Sequence, residues 1–139
     1  MINIGDHTKR LEEGRKHREK MESNWNKLFA DYQKSFQVFQ DLQAERRDLR
    51  EKLAQFERGE LELIDSDLRI IYSQITALGV KIDRAGNVAQ EKRKVYDNQK
   101  SADIMKLVHM RAEAVFAWRE DKRKLEEEYF EKRGWNLLA

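Results

Sequence analysis

The chain of 139 residues contains no cysteine and no proline. The first absence removes disulfides and thiolate metal centres, and fits a reducing compartment. The second leaves no position at which a helix must stop for want of an amide hydrogen or because of a ring clash. Glycine is sparse, six in all, and no two are adjacent, so no Gly-rich phosphate loop is present. No apolar run approaches the ~20 residues that a bilayer span needs. Residues 1–10 lack the apolar stretch of a secretory signal. A cytoplasmic protein without direct membrane insertion is the expectation. A charge of one sign is missing too. The 28 basic and 26 acidic side chains are mixed along the whole length, giving a net +2. No basic field forms, so no nucleic-acid partner is expected.

Charge and apolar periodicity are what the chain has in quantity. Charged residues make up 39% and hydrophobic residues 40%, a mix typical of long amphipathic helices. Steps of three and four from Leu11 land on Gly14, Arg18, Met21, Trp25, Leu28, Tyr32, Ser35, Phe39, Leu42, Arg46, Leu49, Leu53 and Phe56. A repeat of 3.5 residues keeps one stripe facing a partner helix. A helix over about 6–57 is expected. It ends at Arg58-Gly59, where glycine follows a basic last turn. A turn over about 58–66 carries the cap cluster Asp65-Ser66-Asp67. Leu68, Ile71, Ile75, Leu78 and Ile82 then form the most regular heptad run. After a polar stretch the stripe resumes as Ile104, Val108, Val115, Trp118, Leu125 and Tyr129, predicting a helix over about 67–133 and an apolar tail at 134–139. Extending the earlier run puts Tyr96 in the seam, whereas the later run points to Asp97, so a register slip is expected between them.

The expected fold is therefore all-α: a single domain over 1–139, a long antiparallel two-helix coiled-coil hairpin. The alternative is an elongated three-helix bundle broken at Gly86-Asn87. The second helix outruns the first, so either it overhangs or it pairs with its own copy, which admits a homodimer.

No constellation in the sequence supports catalysis, and no cofactor or metal is implied. His7, His17 and His109 are scattered. Glu13 and His17 share a helix face but lack a third ligand. No serine has the neighbours that would activate it. Arg18 and Arg46 at seam positions must reach solvent or a carboxylate. The candidate residues are instead partner-binding. The rings at Trp25, Phe29, Tyr32, Phe36 and Phe39 form either core or, at the flanking Phe29 and Phe36, an exposed patch. Trp118 and the tail residues Trp135, Leu137 and Leu138 form a second candidate surface, or fold back on the hairpin's open end.

Residues 88–133, with Arg111, Glu113, Arg119 and the run Glu120-Asp121-Lys122-Arg123-Lys124-Leu125-Glu126-Glu127-Glu128, are similar in texture to the C-terminal helix of the FliJ/YscO family of flagellar and type III secretion export proteins. Leu28, Tyr32, Phe39 and Leu42 are compatible with that family's first helix. The resemblance spans nearly the whole chain. It implies a cytoplasmic stalk working in protein transport, with one end of a helical hairpin in a hexameric export ATPase and the other at a membrane export gate. No residue-level contact transfers with it.

Overall fold

The computed structural model describes residues 4–132. Among them are two helices and no strand: α1, Ile4–Glu57, and α2, Asp65–Lys132. They pack against each other as an antiparallel hairpin. The glycines that could have broken α2 sit inside it, so the two-helix topology holds and the three-helix alternative does not. Tail residues 134–139 lie outside the described residues.

The turn follows from one glycine. Gly59 has φ +76°, the left-handed region that side chains avoid. That conformation lets the Gly59 amide donate to the Phe56 carbonyl at 3.0 Å and the Glu60 amide donate to the Gln55 carbonyl at 2.8 Å. These two bonds form a Schellman cap and satisfy carbonyls the helix end would leave unpaired. Arg58 reinforces it by donating to Glu51 and Glu60, each at 3.1 Å, and these carboxylates raise its pKa. At the start of α2 the Ile64 amide donates to the Asp67 carboxylate at 3.4 Å, the returning half of a capping box.

The chain divides into two compact units. Unit 2 is Trp25–Asn98 and contains the turn. Here α2 faces inward with Leu68, Ile71, Ile75, Leu78, Ile82, Ala85, Ala89, Lys92 and Tyr96. Ile71, Leu78, Ile82 and Ala89 are the buried apolar residues. On α1 the inward positions include Leu28, Tyr32, Ser35, Phe39, Leu42, Arg46, Leu49, Leu53 and Phe56, as the heptad reading expects.

Unit 1 is Met1–Asn24 with Gln99–Ala139. On α1 the inward positions are His7, Gly14, His17 and Met21. Two expected seam residues are not among them. Leu11 is 72% exposed, and Arg18 lies outside, where its guanidinium donates to Glu22 at 3.1 Å. His17 takes the inward position instead, which spares the arginine head from desolvation. On α2 the inward positions are Lys100, Asp103, Leu107, Ala114, Ala117 and Asp121. Tyr96 is half-buried and Asp97 exposed, so the earlier register prevails. Two successive steps of four, Lys92 to Tyr96 to Lys100, then change its phase, as a stutter does.

Glycine substitutions give opposite signs at two sites. Gly79 sits in α2 with open space around an added Cβ, so Gly79→Ala should stabilise the chain by about 1 kcal/mol through helix propensity. Gly59→Ala should destabilise it by about 1–2 kcal/mol, the strain of a left-handed alanine. Urea unfolding followed by circular dichroism measures both, and equal signs would contradict this account.

Candidate interaction surface

In unit 2 the rings of α1 form a ladder. Phe29 lies 5.8 Å from Tyr32, Tyr32 stacks on Phe36 at 5.8 Å, and Phe36 lies 6.1 Å from Phe39. Large rings at successive turns need small residues opposite, and α2 supplies them. A Cβ added to Gly86 would stand 3.2 Å from the Phe39 ring. Beyond it, Tyr96 meets Phe29 at 5.1 Å between ring centroids. The Arg93 guanidinium covers the end of the ladder, 5.8 Å from Phe29, 5.3 Å from Tyr32 and 5.6 Å from Tyr96. Asp97 accepts from it at 3.3 Å. Lys92 and Asp31 tie the helices together at 2.8 Å. A shallow groove of about 350 Å³ remains beside Tyr32, Phe36, Phe39 and Gly86. Of the expected partner-binding residues here, Phe29 is half-buried among rings, and Phe36 is 37% exposed on the groove's edge.

Unit 1 is built on a different rule. Most of its inward side chains are small or polar, Met21 and Leu107 being the exceptions. His7 Nε2 lies 2.9 Å from the Asp121 carboxylate. Asp103 is buried and accepts from Gln99 at 3.0 Å. The buried His17 Nε2 has no hydrogen-bond partner among the described residues. The larger apolar side chains point the other way. Ile104, Met105, Val108, Val115, Phe116, Trp118, Leu125 and Tyr129 are all exposed, with Val108 at 59%, Phe116 at 70% and Trp118 at 49%. The stripe expected to close the hairpin is therefore a second, outward stripe, one residue on from the true seam. The small side chains of Ala114 and Ala117 lie on the inner side of α2, and Gly14 is half-buried on α1. Valine, isoleucine and tryptophan at the neighbouring positions are left outside.

The outward face has its own order. Lys122 Nζ lies over the Trp118 ring at 5.3 Å, and Tyr129 meets Phe130 edge-on at 5.7 Å. Arg123 donates to Glu120 at 2.6 Å and to Glu127 at 2.8 Å. The bond to Arg123 holds the Glu120 carboxyl below its usual range, and Glu120 in turn raises the Arg123 pKa. Trp118 is thus exposed as its candidacy requires. Trp135, Leu137 and Leu138 lie outside the described residues.

Among the described residues no group of three or more His, Asp or Glu side chains is gathered as metal ligands. Nor is any described helix long and apolar enough to cross a membrane. No family model, curated protein or solved structure matches the chain.

The unpartnered His17 ring nitrogen supplies a prediction. A buried polar atom without a partner costs about 1–3 kcal/mol. His17→Leu should therefore raise the unfolding free energy by about 1 kcal/mol at neutral pH, read from urea titration. A loss of stability would mean that the imidazole makes a bond the hairpin needs.

Proposed function

We propose that this chain is a non-catalytic protein-interaction hairpin whose α2 face from Ile104 to Tyr129 receives a helix from another chain. The observation that carries the reading is the inversion in unit 1, where mostly small or polar side chains face inward, Met21 and Leu107 apart, and eight large apolar ones of α2 are exposed. Apolar surface of this extent on a described face marks a contact site, and a 3–4 spacing suits a helical partner.

In its more specific form the role is that of a cytoplasmic stalk in flagellar or type III protein export, binding the export ATPase and the export gate. The hairpin fold and the texture of residues 88–133 support it. The alternative is a homodimeric scaffold or adaptor.

Titrating the purified chain into the export ATPase from the same organism tests the specific form. A stalk should raise ATP turnover, and Val115→Ser with Trp118→Ser should weaken that stimulation about tenfold or more, as loss of a central hot spot does. Helix content should stay unchanged by circular dichroism. Absence of any stimulation or binding would end the export assignment.

A further inference from the structure

We propose that the outward face of α2 pairs with the same face of a second copy of this chain, antiparallel, about a two-fold axis between Val115 and Trp118. The proposal rests on the reading of unit 1 as an interaction module and takes its homodimeric form, in which a second copy and not the export ATPase occupies this face.

Three observations carry it. The first is spacing. Ile104, Val108, Arg111, Val115, Trp118, Lys122, Leu125 and Tyr129 follow one another in alternating steps of four and three. They form a second full seam, about 38 Å long at 1.5 Å per residue. The large apolar members of this seam are exposed.

The second is order. Read from either end, the seam runs apolar, apolar, basic, apolar. A two-fold contact brings residue i of one copy to residue j of the other and j to i. In the antiparallel register Ile104 meets Tyr129 of the second copy, Val108 meets Leu125, and Val115 meets Trp118. Each pair sets a branched aliphatic against a larger or equal apolar side chain. Arg111 and Lys122 are left opposite each other. Their long stems can line the seam while the heads reach outward, and their repulsion limits affinity.

The third is charge. Residues 120–132 carry four basic and six acidic side chains, while residues 101–113, which face them in this register, carry two of each. A parallel pairing would set like ends together. The antiparallel one sets the acidic end of each copy beside a charge-balanced segment of the other, which favours that orientation.

Because the chain has no cysteine, single cysteines report the geometry cleanly. Analytical ultracentrifugation of the full chain, from about 1 to 100 µM, should show its mass double with concentration. Ile104→Cys mixed with Tyr129→Cys should give a mixed disulfide, while either variant alone should give none. In an antiparallel pair the two copies of one site lie far beyond the ~7 Å that a disulfide bridges. Val115→Asp with Trp118→Asp should weaken the dimer about a hundredfold or more, since it buries unpaired charge. Efficient disulfides within each single variant would mean a parallel pair and overturn the proposal. A monomer mass throughout would also overturn it, and maleimide labelling of Trp118→Cys then separates two cases. Fast labelling leaves the face open to a different protein, so only the second copy is lost. Slow labelling means that the chain covers the face itself, and the interaction reading falls as well.

Discussion

The meshing of rings on α1 with small and branched residues on α2 is the constraint on which unit 2 depends. Phe39 reaches Gly86 so closely that even a methyl group would crowd it, and Phe29 meets Tyr96 one further contact along. A ring that needs a gap opposite it cannot slide by a turn without meeting a side chain. Register is thus set by shape, and the Lys92–Asp31 bridge adds direction at an exposed site where an ion pair contributes little energy. The Arg93 guanidinium works at the same place in another way. It spreads a planar cation over three rings and shields an apolar edge from water without closing the fold around it.

Unit 1 shows what happens when that meshing is absent. Gly14, Ala114 and Ala117 offer little area, and His7, His17, Asp103 and Asp121 bring polar atoms to the inner face. Its buried apolar residue among those described is Met21 alone. Area removed from water contributes roughly 25 cal/mol per Å², so this part of the hairpin gains little from its own closure. Its apolar content is high all the same, and lies along a stripe of α2 beside that inner face. A helix apolar on two faces belongs between two neighbours, and the hairpin supplies one of them.

Much of this was legible in the sequence where a single residue type decides the outcome. The absence of proline, Gly59 after Arg58, and the acid cluster at Asp65 to Asp67 place the turn within two residues of where it falls. The aromatic and aliphatic stripes of unit 2 likewise lie where a 3.5 repeat puts them. The orientation of α2 beyond Asn98 was not legible in the same way. Two stripes run side by side there, one of Ile104, Val108, Val115 and Trp118, the other of Asp103, Leu107, Ala114 and Ala117. Both have the right spacing, and hydrophobicity favours the first. The choice between them depends on how α2 meets α1, where Gly14 and His17 lie inward, and that is a property of the pair rather than of either segment. The signal available beforehand was the placement of Arg18 in the expected seam, a charge that a one-position shift to His17 removes. Trp118 carries both readings, a member of the expected stripe and a candidate contact, and Ile104 and Val108 of that stripe are exposed with it.

The His7–Asp121 contact joins residues 114 positions apart, whereas the turn joins neighbours. Closing a loop costs more as it lengthens, though slowly, so the contacts between the helices nearest Gly59 carry the smallest closure cost. On a ribosome the asymmetry becomes temporal. The segment bearing Gly14, His17 and Met21 is made before residue 121, the partner of His7. Its scarcity of large exposed apolar groups, Leu11 apart, then has a second use: a nascent segment with so little grease can wait without sticking to its neighbours on the same messenger.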